Sequence, residues 1–283
     1  MNREELFSYK PYLFTIAYNM LGDITVAEDL VQDTFEKWLQ TERADVVQPK
    51  AYLSRILINK AIDCLEQEKK KRETYKGLWL PEPILSEVAT TEENQTLEYA
   101  LLFLLERLNP YERAVFVLKE VFSFSYSEIS DFLNLSQENC RQLLHRAKEK
   151  VQVSRKKQEI DLAKHTQLLE AFLTAVYQRD FAQLKQILRD DVVMYQDGGG
   201  KVAAALKPLF GTDKVTRFLE GIMGLDLNTD APFRVTPVYL NGVPAVLIYR
   251  DEVLDTVFYS VAEGDNLAEV YFVRNPDKIR INL

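Results

Sequence analysis

The stretch 125–157 leaves this chain few folds to choose from. Ser125 and Glu128 stand at capping-box spacing, which predicts a short helix starting there with Ile129, Phe132 and Leu133 as its apolar stripe. Asn134 tolerates the left-handed backbone that ends a helix, and Ser136 can cap the next one. In that second helix Cys140, Leu143, Leu144 and Ala147 fall at i, i+3, i+4 and i+7, one buried face. Arg141, Gln142, His145 and Lys148 point away from it, with Arg146 on a flank. Two short helices around a three-residue turn, the second polar and basic, are what a helix-turn-helix requires. Its second helix can enter the major groove and present forked donors to base edges. Ser136, Asn139, Arg141, Gln142, His145, Arg146 and Lys148 are its candidate contacts. An ordinary helical hairpin with a solvated basic face fits the same residues, so the rest of the chain has to decide.

At 283 residues, 47% of them apolar, the chain is long enough for two or three small domains with cores of their own. The charged N-terminus has no signal-peptide pattern, and no apolar run approaches a membrane span. Cys64 and Cys140 lie far apart in helical patterns, which reads as two unpaired thiols in a reducing cytoplasm. The net charge of −8 is not that of a protein holding DNA by charge alone. Residues 1–157 carry 22 Lys and Arg against 25 Asp and Glu, and the remainder 13 against 18, so neither part is basic. The charges are nevertheless segregated into patches, which suits a protein that meets DNA beside a larger partner.

Residues 2–21 read as a first helix, and a second is expected to run from a cap at Thr25 and Glu28 to about Gln40. Asp29, Gln32, Asp33 and Glu36 share its outward face, a compact acidic surface. Pro49 opens a third helix to about Arg72, with Arg55, Asn59 and Lys60 outside its apolar stripe and Lys69-Lys70-Lys71-Arg72 at its end. Cations there suit the negative end of the helix dipole. Further helices are expected from Thr96 to Leu108 and, capped by Asn109-Pro110-x-Glu112, to about Val121.

These helices carry a family resemblance. Ala27-Glu28-Asp29-Leu30-Val31-Gln32-Asp33-Thr34-Phe35 and Pro49-Lys50-Ala51-Tyr52-Leu53 with 58–63 resemble region 2 of bacterial extracytoplasmic-function sigma factors. Leu108-Asn109-Pro110-Tyr111-Glu112-Arg113-Ala114-Val115-Phe116 and the helix-turn-helix resemble region 4. Cys64 departs from the pattern, standing where relatives often carry a basic residue. The resemblance implies that Asp29, Gln32, Asp33 and Glu36 meet the β′ clamp helices of core RNA polymerase, and that region 4 meets the β flap. It also implies that Arg55, Asn59, Lys60, Lys69, Lys70, Lys71 and Arg72 open and read the −10 element, with flipped bases received near Asn59. The region 4 helix would read the −35 element through Arg141, Gln142 and His145, with 155–157 on phosphates.

Between the two regions, 73–96 has no steady period and reads as a linker, yet it holds Leu78-Trp79-Leu80, which solvent would not reward. Beyond the basic run come helices at 162–177, 181–188 and 212–223. Strand-like runs lie at 192–195, 234–240, 245–249, 253–262 and 268–273, with turns at Asn241-Gly242 and Gly264-Asp265. Helices first and a curled antiparallel sheet after indicate an α+β domain. It resembles the SnoaL-like members of the NTF2-like cone fold. The Asp197-Gly198-Gly199-Gly200-Lys201 run is not a phosphate loop, since its spacing differs and no Ser or Thr follows the lysine. His165, expected to be exposed, and carboxylates such as Asp191 and Asp251 form no recognisable acid–base pair.

A subgroup of these sigma factors carries a fused SnoaL-like extension, and three of its features are present here. They are Trp79-Leu80-Pro81-Glu82-Pro83, 197–201, and Asn275-Pro276-Asp277-Lys278. The resemblance implies regulation in cis, in place of a separate anti-sigma protein, through Trp79, Leu80, Pro81, Pro83, Asp197, Gly198, Gly199, Gly200, Lys201, Asn275, Pro276, Asp277 and Lys278. The expected organisation is multi-domain: all-α region 2 at 1–76, a linker at 77–96, all-α region 4 at 97–157, and an α+β regulatory domain at 158–283. The expected protein is a cytoplasmic sigma factor with core polymerase and promoter DNA as partners, without catalysis, cofactor, metal or membrane. The cone leaves room for an unidentified small ligand. Two rivals remain at this point, a helix-turn-helix regulator with a ligand-binding NTF2-like domain and a cyclase-like enzyme with a DNA-binding appendage.

Overall fold

The computed structural model describes residues 3–40, 46, 48–86, 95–152, 161–225 and 233–281. The chain divides into two compact units: Met1–Thr74 with Thr91–Lys156, and Tyr75–Thr90 with Lys157–Leu283. Among the described residues no helix is long and apolar enough to cross a membrane.

The first unit is helical: α1 (Arg3–Phe7), α2 (Lys10–Leu21), α3 (Ile24–Gln40), α4 (Pro49–Arg72), α5 (Tyr99–Leu104), α6 (Pro110–Phe116), α7 (Tyr126–Leu133) and α8 (Gln137–Gln152). The single helix expected over 2–21 is split, because Pro11 has no N–H to give to the Phe7 carbonyl. Gly22, at φ 65°, ends α2 in the left-handed region. The cap of α3 also differs from expectation: the Asp23 carboxylate, not Thr25, accepts the Val26 N–H at 2.9 Å. Both halves of the capping box are formed at Asn109/Glu112 and at Ser125/Glu128. Asn134 ends α7 at φ 52°, and Ser136 Oγ accepts the Asn139 N–H at 3.1 Å to start α8. The helix-turn-helix expected in the stretch 125–157 is therefore present, its second helix running to Gln152 and 153–157 lying outside the described residues, with Cys140, Leu143, Leu144 and Ala147 all buried. After α6 the chain widens into a π-helical turn, Val117–Val121, a form concentrated at functional segments.

Polar ties fasten this unit internally. Asn19 donates to the Gln95 carbonyl at 2.7 Å and accepts the Leu97 N–H at 3.1 Å. Arg113, 2% exposed, sends three N–H groups to the Leu105 carbonyl, the Met20 carbonyl and Glu106. α4 packs on both α6 and α7.

The second unit holds α9 (Leu162–Gln178), α10 (Phe181–Ile187), β1 (Leu188–Asp197), β2 (Leu209–Phe210), α11 (Thr212–Leu225), β3 (Phe233–Leu240), β4 (Val243–Arg250), β5 (Val253–Glu263) and β6 (Asn266–Val273). The strands form one open sheet in the order β2-β1-β6-β5-β4-β3. Its pairs are antiparallel except β1 with β6, so the sheet is mixed where an antiparallel one was expected. The cause is topological: β1 and β6 are far apart in sequence and meet as neighbours with no tight turn to force opposite directions. Asn241 and Gly242, at φ 50° and 76°, make the two-residue turn between β3 and β4.

Period-2 alternation divides the sheet into two faces. Val192, Met194, Val246, Phe258 and Val270 pack with Leu169, Phe172 and Leu184 of the helices. The Phe172 and Phe258 rings stack at 4.9 Å, and enclosing each contributes roughly 1.5–3 kcal/mol. His165 belongs to this packed layer, which corrects the expectation that it is exposed. It is 2% exposed, with Nε2 2.9 Å from Ser260 Oγ, because α9 lies against β5. The opposite face carries Tyr195, Asp197, Tyr259 and Tyr271 at the alternating positions.

Candidate functional site

Four surfaces gather the residues singled out above. On α3, Asp29, Gln32, Asp33 and Glu36 are all exposed along one face, each three residues or fewer from the next. Gln32 donates to Glu36 at 3.2 Å, and Lys60 of α4 pairs with Asp33 at 2.7 Å. Both members of that pair are partly solvated, so it contributes little to stability. Its consequence is positional: a cation expected at DNA lies instead beside the acidic face.

Along α4, Arg55 and Lys69 are exposed, and the side chains of Lys70 and Lys71 lie outside the described residues. Asn59 donates to the Arg55 carbonyl at 2.8 Å and to the Phe132 carbonyl of α7 at 3.1 Å. Arg72 turns away from solvent to pair with Glu106. Burial, followed by the nearby charge of Arg113, pulls its guanidinium down to about 10. It therefore remains a cation at neutral pH but is committed to protein rather than to a phosphate.

On α8, Arg141, Gln142, His145 and Arg146 are exposed and Lys148 is half-buried. Glu138 lies 3.6 Å from Arg141, Glu149 lies 3.6 Å from His145, and Glu120 pairs with Lys148 at 2.8 Å. Arg155, Lys156 and Lys157 fall outside the described residues. The helix offers a groove-sized face with two guanidinium forks, an amide and an imidazole, the donor and acceptor set that reads base edges.

The fourth surface lies in the second unit, where segment 75–86 meets the end of β1 and the 274–281 tail. Asp197, 0% exposed, is its centre. Its carboxylate accepts from the Tyr75 hydroxyl at 2.6 Å, the Leu80 N–H at 2.9 Å, the Gly199 N–H at 2.9 Å and Lys278 Nζ at 2.7 Å. Lys278 also donates to the Leu80 carbonyl at 2.6 Å and lies 4.0 Å from the Trp79 ring centroid. Burial and the adjoining carboxylate both push the Tyr75 hydroxyl above its ordinary range, so it stays a donor. Asn275 donates to that hydroxyl at 2.9 Å, while Lys201 pairs with Asp277 at 2.5 Å on the exposed side. Pro81 and Pro83 are buried and Pro276 is exposed.

The glycine run follows from this crowding. Gly199 and Gly200 sit at φ 61° and 70°, where side chains are strained. An added Cβ would come within 2.5 Å of Asn275 at Gly199, and 2.9 Å of Lys76 at Gly200. Further along, Ser86 N–H donates to the Tyr239 carbonyl at 3.0 Å and Asn241 N–H to the Ile84 carbonyl at 2.8 Å. The segment thus extends the sheet for one bridge beyond edge strand β3, Leu85 opposite Leu240.

Two residues of evident structural consequence went unnoticed in the sequence. Tyr75 precedes Trp79 by four residues, and that aromatic pair is its signal. Arg113 sits in front of the apolar run Ala114-Val115-Phe116, a cation where a helix enters the core.

Known proteins can now be set beside this geometry. The family model described as Sigma-70 region 2 matches residues 7–71, and that described as Sigma-70, region 4 matches 99–151. The ECF RNA polymerase sigma factor SigJ of Mycobacterium tuberculosis (strain H37Rv) is 29% identical over 98% of this chain and 93% of its own length. The probable ECF RNA polymerase sigma factor SigI of M. tuberculosis (strain CDC 1551) is 32% identical over 96% of this chain and 92% of its own. The crystal structure of M. tuberculosis SigJ superposes with a TM-score of 0.76 over 98% of both chains, at 24% identity, a likeness of fold. That likeness extends over the helix-plus-sheet unit, whose sheet does not close.

Proposed function

The chain belongs to the extracytoplasmic-function RNA polymerase sigma factors, and from that premise we propose that its C-terminal unit governs promoter use in cis by holding segment 75–86. A sigma factor joins core RNA polymerase and directs it to promoters. The observation that carries the cis-regulatory reading is the buried Asp197–Lys278 pair closed around the Leu80 backbone. That segment joins the two helical regions in sequence, so holding or releasing it changes how far apart they can reach on a promoter.

Deleting the tail from Asn275 onward, or replacing Trp79 with Ala, is expected to raise run-off transcription at matched core occupancy without changing which promoter is used. Equal output from both variants and the full-length chain would sink the cis-regulatory reading.

We assign polymerase clamp binding to the face of α3 where Asp29, Gln32, Asp33 and Glu36 are exposed. Asp29→Lys with Asp33→Lys should lose most affinity for core polymerase. Exposed charge changes move stability by under about 0.5 kcal/mol, so the fold should persist. Unchanged affinity in a pull-down against core polymerase would remove the assignment. For the −10 element, Arg55 and Lys69 remain available as contacts, and reception of a base at Asn59 requires its bond to the Phe132 carbonyl to be exchanged. For the −35 element we assign base reading to Arg141, Gln142 and His145. His165 lies in the packed layer, with Nε2 beside Ser260 Oγ.

A further inference from the structure

Arg141 is not a free arm on α8. Its guanidinium carbon lies 5.0 Å from the centroid of the Tyr126 ring, within the range of a cation–π contact. Glu138, one turn earlier on the same helix, lies 3.6 Å from the guanidinium. Tyr126 opens α7, so its ring leaves the backbone next to the capping box of Ser125 and Glu128, where the chain direction is fixed by two reciprocal hydrogen bonds. A second cation, Lys119, lies 5.0 Å from the same ring centroid and donates to the Phe124 carbonyl at 3.0 Å. The ring therefore sits between an anchored turn and a helix that faces outward.

We propose that Tyr126 is a specificity-positioning residue: its ring holds the Arg141 fork in the orientation that reads a base edge in the −35 element. The proposal rests on the assignment of base reading to α8. Arg141 reaches a guanine through two parallel donors, and that selectivity depends on the plane of the guanidinium as well as its position. A long side chain on an exposed helix face samples many rotamers, and ordering them on binding opposes the contact. A ring supplied by the neighbouring helix restricts that sampling beforehand. Tyr126 needs no contact with DNA for this, and its aromatic face rather than its hydroxyl does the holding.

The test is selection of a promoter library randomised over the −35 element, using holoenzyme assembled from core polymerase and the full chain. Arg141→Ala is expected to flatten preference about fivefold or more at one position, as loss of a bidentate base contact does. Tyr126→Ala and Tyr126→Leu should flatten the same position about two- to fivefold, the scale of an exposed cation–π contact. Tyr126→Phe should keep wild-type preference. Tyr126→Ala added to Arg141→Ala should change nothing further. Tyr126→Leu keeps an apolar side chain of similar bulk, so the comparison survives if the alanine variant fails to fold.

If Arg141→Ala shifts a position that Tyr126→Leu leaves intact, the positioning role is wrong while base reading by α8 stands. If Arg141→Ala shifts none, base reading by Arg141 fails and the positioning role with it. Uniform weakening of every promoter by Tyr126→Leu would make the ring a structural or phosphate contact and overturn the proposal.

Discussion

Lys278→Met should release segment 75–86 from the C-terminal unit at a cost of about 3–5 kcal/mol, the range for removing one partner of a buried ion pair. The ammonium joins Asp197 at 2.7 Å to the Leu80 carbonyl at 2.6 Å, and Asp197 and Lys278 are 0% and 7% exposed. Without it the Asp197 carboxylate keeps the Tyr75, Leu80 and Gly199 donors but has no countercharge. Water has to reach it, and displacement of the segment is the direct way in. Trp79 would also lose the cation at its ring, so its own emission reports the change. In a Trp38→Phe background, Trp79 should become open to acrylamide quenching. Asp197→Asn should act similarly by stranding the ammonium. The double variant should lose less than the two single losses combined, by about 1 kcal/mol or more, because neither charge is left alone. Quenching and stability unchanged to within about 0.5 kcal/mol in Lys278→Met would show that this pair does not hold the segment.

What could be read in advance divides by how far each interaction reaches along the chain. The capping boxes at Asn109 and Ser125, the left-handed stop at Asn134 and the buried stripe of α8 are set by residues within about two turns of one another, and they stand where their spacing puts them. The Asn241-Gly242 turn is local in the same way. α3 starts from Asp23 rather than Thr25, and since both are competent caps their spacing alone does not choose between them. Burial of His165 depends on Ser260, and the parallel pairing of β1 depends on β6, partners with no local signature. The linker site was half legible. Leu78-Trp79-Leu80 in a linker announces that something covers it, but nothing in its neighbourhood identifies Asp197 and Lys278 as the residues that close on Leu80.

Arg113 belongs to that illegible class, and Arg113→Met is expected to destabilise the helical unit by about 3 kcal/mol or more. The guanidinium is enclosed, and burial pulls it down to about 9, so it is charged at neutral pH and depends on its partners. Nε donates to the Leu105 carbonyl at 3.0 Å, one terminal nitrogen to the Met20 carbonyl at 2.8 Å and the other to Glu106 at 2.6 Å. Glu106 also holds Arg72, so one side chain joins α6 to the end of α2, to the turn after α5 and, through a shared carboxylate, to the end of α4. Methionine matches much of the volume and none of the donors: the Leu105 carbonyl keeps the Leu108 N–H, while the Met20 carbonyl gives up its guanidinium donor at about 1–3 kcal/mol if it stays dry. The loss is partly offset, because Arg72 remains to neutralise Glu106 and is relieved of a neighbouring like charge. Arg113→Lys should fall between the two, since a point charge cannot address three separated acceptors. The chain has two tryptophans, Trp38 in the helical unit and Trp79 in the other, so urea unfolding in a Trp79→Phe background reports the helical unit alone. Hydrogen exchange should accelerate at α2 and α6 amides in the variant and stay unchanged in β4 and β5. A midpoint within about 0.5 kcal/mol of the parent would mean that the apolar packing of these helices, and not Arg113, keeps them together.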